Sequence, residues 1–600
     1  MSYMRQEILS KITHELGIWL GEAGVASPVI QLERASSLEF GEYSSNVAMR
    51  YAKQLGKNPL ELADELAVFL QQQNVAGLEQ VKAVRPGFIN FYFTPAAKTQ
   101  HVESILSAGE AFGANQTLKG EKWVIEHTSP NPNKAMHLAH LRNNLVGMGI
   151  VRLLKYSGAE VISDAVYNNR GIAIAKVMYG YLAHMKRVTS VPTDVGYWME
   201  HRDEWFTPEE KDQKSDLFVT ECYVLGERDI SENPEIEQLV RQMVVDWEAS
   251  DTATLQLWEQ VLKFAYAGID RTLKRLGNHW DNVWYEHEHY QKGKEYIEAG
   301  LKKGVFQKLP DGAVLTNLES TYNLPETILL KNDGTSLYIT QDIALTDLKK
   351  KTYGADKLVW VIGPDQSLAM NQLFAICEQL EIGKREDFTH VPYGYVGLKD
   401  GEGAFKKMSS RAGTVVLIDG VIDEVKAMIN ARFVEEEKHN DATRESLSEK
   451  LALAAVKFSL LKSDRNQSLS FDTEQSVDVQ GDSGMYVVYS YVRTQSILRK
   501  AGSSADDPLT PPTKLGEEAS LLRSLLYFEE VVVKSTDNLS VHHVAQYLLE
   551  VSSEFNSWYA KETILDGGKS ESYKLAIVKA VSITLKNGLS ILGVETVDEM

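Results

Sequence analysis

The densest run of chemically capable side chains is Ser129-Pro130-Asn131-Pro132-Asn133-Lys134-Ala135-Met136-His137-Leu138-Ala139-His140-Leu141-Arg142. Two imidazoles three residues apart on the first turn of a helix face the same way. The N-terminus of that helix offers free N–H groups and the positive end of a dipole, which suits a polyphosphate. Donors from His137, His140 and Lys134 would then complement charge developing at an α-phosphorus as pyrophosphate leaves. Taken alone, the pair reads equally as helix-surface histidines or as half of a metal site. A second cluster, Lys406-Lys407-Met408-Ser409-Ser410-Arg411-Ala412-Gly413-Thr414, follows Gly394, Gly397, Gly401 and Gly403. Small residues allow a mobile loop, and lysines on it can close over a triphosphate. A lone charge run of this kind is ordinarily a solvated loop; its pairing with the histidine run across one divided sheet is what points to chemistry.

That pairing depends on the elements between. An apolar strand at Trp123–Ile125, a Pro/Asn-rich loop, a helix ending near Gly158 and a strand at Val161–Ile162 give β-α-β grammar. The same grammar returns at Leu358–Ile362 with a helix through Leu380. The two halves predict one parallel sheet split by a charged, largely helical insertion at about 180–330. Residues 1–118 predict an α+β domain, with helical spacing at Ile8, Ile12, Leu16 and Leu20, a helix at 59–73, and a strand at 87–93. From Val416 onward the pattern is helical at 418–437, 448–463, 483–501, 518–533, 541–560 and 571–591. The expected architecture is thus multidomain α/β: an N-terminal α+β domain at 1–118, a Rossmann-like catalytic domain at 119–416, a helical connective region at 417–475, and an all-α bundle at 476–600.

Composition bounds the classes. At 600 residues, 43% hydrophobic and 24% charged, the chain is an ordinary folded protein of roughly four domains. Its net charge of -20 excludes a wholesale basic coat, though not a local basic groove. Two distant cysteines, Cys222 and Cys377, give neither a disulfide framework nor a cysteine zinc site. With no leader pattern and no long apolar run, a cytoplasmic protein without a membrane segment is expected.

His137-Leu138-Ala139-His140 resembles the HIGH motif, and Lys407-Met408-Ser409-Ser410-Arg411 the KMSKS motif, of class I aminoacyl-tRNA synthetases. More narrowly, the chain resembles the arginyl-tRNA synthetase family over essentially its full length. The N-terminal match is Phe40 to Ala48 and Pro86 to Asn90. Further matches are Ser129-Pro130-Asn131 with Lys134, Asp333 to Asp342, Gln366 with Gln372-Leu373-Phe374, and Tyr489, Arg493, Phe555-Asn556-Ser557 and Asn587-Gly588-Leu589 near the end. The resemblance implies activation of L-arginine with ATP and Mg²⁺, then transfer to the terminal adenosine of tRNA(Arg) by initial 2′-hydroxyl attack. It also implies that activation needs bound tRNA.

Carried over residue by residue, the resemblance makes His137, His140, Lys134 and Lys407 catalytic. It makes His137, Ala139, His140, Met408, Ser409, Ser410 and Arg411 ATP contacts. Glu126, Ser129, Asn131, Tyr338, Asp342 and Gln366 become the arginine pocket. The chemistry agrees: a guanidinium is always charged and offers five donors in a planar fork, so burying it calls for carboxylates. The competing readings are an edge-strand acid for Glu126 and, for Asp342, a first-turn acid behind an N-capping Thr340. Lysine cannot fill such a fork, so discrimination by ~10⁴ needs no editing domain. Ala139, Ala369, Ser410 and Ala412 depart from the usual family residues; Lys134 and Lys407 are expected to supply part of the missing phosphate charge. A small-molecule adenylyltransferase would lack the flanking domains, and a weakened tRNA-binding paralogue is the rival raised by Ala139 and Ala369. Tyr489, Arg493, Phe555, Asn556, Tyr559 and Met600 are the expected tRNA contacts, with aromatic rings suited to splayed bases. Lys399, Lys406, Lys407 and Arg411 would form a local basic track. No structural zinc is expected, and the chain is expected to act as a monomer.

Overall fold

Ile8, Ile12, Leu16 and Leu20 are all fully buried, so the face of α1 (Met4–Glu22) that the spacing defines is the one that packs. The computed structural model describes residues 4–334, 337–399, 405–407, 416–436, 440–502 and 512–600. After α1 come β1 (Glu33–Arg34), β2 (Tyr43–Ser45), α2 (Val47–Tyr51) and α3 (Pro59–Gln72). They are followed by β3 (Leu78–Val84), β4 (Phe88–Phe93) and α4 (Pro95–Ala108). The strands form an antiparallel sheet in the order β1-β2-β4-β3. Two helices start where the sequence signals them: Asn58 and Thr94 accept from the backbone N–H groups of Leu60 and Ala97, each just before a proline at the first helical position.

Residues 116–477 with 536–542 form one compact unit of the chain. It opens with β5 (Lys122–Glu126), α5 (Leu138–Tyr156) and β6 (Glu160–Tyr167). Helices α6 (Ile172–His184), α7 (Val195–Glu200), α8 (Ser215–Glu232), α9 (Pro234–Glu248) and α10 (Thr252–Leu276) build the insertion around Trp198, Trp205, Phe218 and Trp258. The sheet resumes earlier than the insertion bounds imply, with β7 (Asn282–Tyr285), followed by α11 (Glu286–His289) and α12 (Gly293–Lys303). A small antiparallel sheet, β8 (Phe306–Lys308), β9 (Val314–Thr316) and, after α13 (Glu319–Tyr322), β10 (Ile328–Leu330), leads to α14 (Tyr338–Tyr353). Then come β11 (Lys357–Val361), α15 (Ser367–Gln379) and β12 (Phe388–Val391).

The central sheet runs β12-β11-β5-β6-β7 with every pairing parallel, so its two halves do join as one sheet. β5 is its middle strand, which removes the reading of Glu126 as an edge-strand acid. Gly147 lets α5 lie close over the end of β5: a Cβ there would sit 2.3 Å from the His127 side chain. β13 (Val396–Lys399) pairs with β14 (Phe405–Lys407) and, in parallel, with β15 (Leu469–Phe471), a strand inside the span expected to be helical. Its partner lies some seventy residues away, so no local pattern marks it. Around it stand α16 (Ile418–Glu435), α17 (Asp441–Leu461) and α18 (Thr473–Ser476).

Residues 1–115, 478–535 and 543–600 form the other compact unit, so the N-terminal segment and most of the helical bundle share one body. The bundle comprises α19 (Gly484–Ala501), α20 (Ala519–Leu525), α21 (Phe528–Asp537), α22 (His542–Lys561) and α23 (Glu571–Ile591). The single helix expected at 518–533 is broken between α20 and α21. The break turns buried Tyr527 onto the Glu42 carbonyl, to which its hydroxyl donates at 2.6 Å, and edge-on to Tyr43. The loop read at 501–515 lies largely outside the described residues.

Candidate active site

The first half of the site grows from the C-terminal end of β5, where ligands bind in parallel sheets. The chain leaves Glu126 through a sharp turn in which Thr128 takes a φ of 56°, unusual for a β-branched residue. The turn is held because the Thr128 N–H donates to Asn143 Oδ1 at 2.7 Å. Ser129 is thereby fixed, its hydroxyl accepting from the Val166 N–H at 3.0 Å and donating to Glu126 Oε1 at 3.3 Å. Asn131 is exposed, its Oδ1 accepting from Asn168 at 3.2 Å.

His137 is the N-cap of α5 and His140 its third residue. Their rings stack with centroids 3.9 Å apart, and His140 Nδ1 accepts from the His137 backbone N–H at 3.2 Å. That acceptor role leaves the His140 proton on Nε2. Burial, then His137, pushes the His140 pKa down to about 3, and burial with the Lys134 ammonium lowers that of His137. Both rings are therefore neutral N–H donors near pH 7, not cations. Lys134 itself sits 4.5 Å over the Tyr223 ring. The histidine turn is tied to the chain that follows the second cluster: Leu138 N–H donates to the Val416 carbonyl and Ile418 N–H to that of Met136, both at 3.2 Å.

A cavity of about 670 Å³ brings the two sheet halves together. Its lining includes Glu126, Ser129, Asn131, Tyr338, Asp342 and Gln366 along with His137, Ala139 and His140. Every residue expected of the amino-acid pocket thus faces one space, with the histidine pair in the same wall. Tyr338, at its rim, is 77% exposed to solvent. Asp342 borders the open cavity; crowding by protein, then the Glu126 carboxylate, pushes its own carboxyl up to about 7. Thr340 is not an N-cap: α14 begins at Tyr338, and the Thr340 hydroxyl donates to the Leu329 carbonyl at 2.7 Å. Ala369 and Ala139 both border the cavity.

Several polar residues in and behind this lining escaped the sequence reading, among them Lys349, Asp164, Glu286 and His289. Lys349, seven residues beyond Asp342 on the same face of α14, places its ammonium 2.8 Å from Glu126 and 2.9 Å from Asp164. Glu286 and His289, at the two ends of α11, are 6% and 4% exposed and line the cavity. Neither His289 ring nitrogen has a hydrogen-bond partner among the described residues, and burial, then Lys349, pushes its pKa down to about 4. The i, i+7 spacing of Asp342 and Lys349 was the available signal; α11 is too short to give one. Lys407 ends β14, opposite Gly397, and Met408, Ser409, Ser410 and Arg411 lie outside the described residues, as do the side chains of Lys399, Lys406 and Lys407 itself.

The sequence carries three family patterns in order: the arginyl-tRNA synthetase N-terminal domain at 5–93, the class I (R) tRNA synthetase catalytic domain at 101–190 and 193–473, and the DALR anticodon binding domain at 487–600. An arginine–tRNA ligase of Treponema denticola is 32% identical, with 95% of each chain covered. The chain belongs to the arginyl-tRNA synthetase family. Another relative, an arginine–tRNA ligase of Bacteroides thetaiotaomicron, is 29% identical over 96% of each chain. The solved arginyl-tRNA synthetase of Thermus thermophilus shares the fold, with a TM-score of 0.80, 23% identity and coverage of 98% of this chain and all of the other.

The family's anticodon-binding region corresponds to the C-terminal bundle. There the Arg493 guanidinium lies between two rings, 4.7 Å from the Tyr489 centroid and 5.0 Å from that of Tyr559, and donates to Asn556 Oδ1. Tyr489 and Tyr559 are 38% and 40% exposed. Phe555 does not join them at the surface, which corrects its assignment as a stacking residue: it is fully buried on the inner face of α22 and backs Tyr559 with centroids 6.2 Å apart. Met600 is half-buried. Among the described residues no group of three or more His, Cys, Asp or Glu could hold a metal ion, and no helix is long and apolar enough to cross a membrane.

Proposed function

We propose that the cavity at the end of β5 is where this arginine–tRNA ligase condenses arginine with ATP. As a ligase of its family, the chain activates L-arginine to the adenylate and transfers it to tRNA(Arg). The observation that carries the assignment is the convergence of Glu126 and Asp342, from the two halves of the sheet, on one cavity. Two carboxylates match the fork of a guanidinium, and lysine would leave their acceptors partly unpaired, which is the strongest kind of discrimination available without editing. Tyr338 and Gln366 close the pocket wall, and Ser129 and Asn131 hold the α-groups of the amino acid. Asp342 must be ionised when arginine binds, and the incoming cation itself favours that state.

ATP enters as its Mg²⁺ complex beside α5. His137 and His140 serve as neutral donors to the α-phosphate, Ala139 borders the adenosine, and Lys134 and Lys407 answer charge on departing pyrophosphate. Met408, Ser409, Ser410 and Arg411 complete the nucleotide contacts. The hydrogen bonds joining the histidine turn to Val416 and Ile418 anchor the α5 N-terminus to the start of α16. Tyr489, Arg493, Asn556 and Tyr559 read splayed anticodon bases, with Met600 alongside, and residues 1–118 meet the tRNA corner. The ligase acts as a cytoplasmic monomer. The test is tRNA-dependent charging of radiolabelled arginine, with lysine and no-tRNA controls. Absence of charging at saturating ATP would refute the assignment.

A further inference from the structure

Glu126 and Asp164 are register partners on β5 and β6, so both carboxylates leave the middle of the sheet on the same face. Like charges directly opposite each other on paired strands repel, and here both are buried, Asp164 without any exposure. The charge between them is Lys349, itself 1% exposed, reaching down from α14 to Glu126 Oε2 at 2.8 Å and Asp164 Oδ1 at 2.9 Å. The second oxygen of Asp164 accepts from the Trp284 indole N–H at 2.7 Å. Burial works against the ammonium, but the two carboxylates outweigh it and hold its pKa above the ordinary value.

This geometry poses a question of charge. A lysine bonded to Glu126 alone would neutralise the acid that the pocket offers to its substrate, and a cationic substrate would gain little from it. Asp164 answers this, because it shares the same ammonium from a place that does not border the cavity. We propose that Lys349 and Asp164 are positioning residues for the arginine pocket. Lys349 fixes the Glu126 carboxylate through Oε2. Asp164 takes up the remainder of the lysine's charge, so Glu126 keeps an unspent negative charge toward the cavity. The inference rests on the assignment of Glu126 to the arginine pocket, and it adds that a fully buried residue without a place in the cavity wall sets how strongly the pocket attracts a cation.

The experiment is calorimetric titration of the full-length chain with L-arginine. In Asp164→Asn the lysine has only Glu126 as an anionic partner, and arginine affinity should fall about tenfold, as expected for losing one charge several ångströms away in a protein environment. Asp164→Ser makes the same charge change with a smaller side chain and should fall similarly, which guards against a folding failure of the first variant. Trp284→Phe removes the other hydrogen bond to Asp164 without changing charge and should stay within about threefold of wild type. The double variant Asp164→Asn/Lys349→Met should bind arginine more tightly than Asp164→Asn alone, since the neutralising cation is gone. Wild-type affinity in both Asp164 variants would overturn the proposal. So would a loss in Trp284→Phe equal to theirs, or a double variant weaker than the single one. Failure of the wild-type chain to bind arginine would instead overturn the pocket assignment and this inference with it.

Discussion

Two buried cations in this molecule each sit between two carboxylates. Arg5, 3% exposed on α1, donates to Glu529 Oε2 at 2.9 Å, to Glu530, and to the Tyr43 hydroxyl at 3.2 Å, and Tyr43 in turn donates to Glu530 at 2.7 Å. Lys349, equally buried on α14, joins Glu126 and Asp164. The arginine fork spreads over three partners and locks α1 to α21 within one compact unit. The lysine is a point charge, it borders a cavity of about 670 Å³, and one of its two acids faces that cavity. Similar local chemistry therefore stands in different surroundings: in the first cluster the outer acid, Glu530, is partly exposed to solvent, whereas in the second the acid nearer the surface, Glu126, faces a cavity.

Substitutions should separate the two by what they damage. The largest effect is expected for Arg5→Met, which leaves Glu529 buried without its cation. Breaking such a pair costs about 4 kcal/mol, so thermal unfolding should shift strongly downward while arginine affinity, measured below the transition, stays at the wild-type value. Asp342→Asn should do the reverse. Arginine affinity should drop by about 3 kcal/mol, on the order of a hundredfold, with unfolding little changed; unchanged affinity would remove Asp342 from the pocket. Tyr559→Ala tests a third, exposed cationic site, where Arg493 lies between aromatic rings. Loss of one stacking platform is worth about 1–3 kcal/mol per base, so the KM for tRNA should rise about tenfold with the KM for arginine unaffected.

The smallest expected effect is on pH. The Asp342 carboxyl stands at about 7 in the free pocket, above the ordinary carboxylate range. Its ionised form binds the guanidinium, so arginine affinity should be full above neutral pH and weaken as pH falls through about 7. The slope should approach one proton per arginine bound. A titration of affinity against pH that stays flat through neutrality would show that Asp342 is already ionised in the empty pocket. The Arg5 cluster should contribute nothing to such a profile.

Much of the site was legible because its residues fall in ordered local patterns. The strand ending at Glu126, the Pro/Asn loop and the histidine turn are contiguous, and apolar runs at 123–125 and 358–362 marked the two sheet halves. The companions of Glu126 were not legible. Asp164 is one of two acids on a strand that also carries Ser163, and Lys349 resembles any exposed helix lysine beside Lys350 and Lys351. Their burial follows from strand register and from which face of α14 turns inward. Phe555 was misjudged for the converse reason: an aromatic residue one helical turn from Tyr559 can stack on a base or support the residue that does, and only its burial decides. The strand β15 and the break between α20 and α21 likewise depend on partners remote in sequence.

The sequence by itself determined the order of the family's domains, the split parallel sheet and the family, because these rest on residue type, short spacing and turn chemistry. The tertiary structure alone decided which of the many charges face one another. Whether a carboxylate is neutralised or left to attract a substrate depends on the nearest opposite charge within a few ångströms. For Glu126 that charge arrives from a helix 223 residues away along the chain.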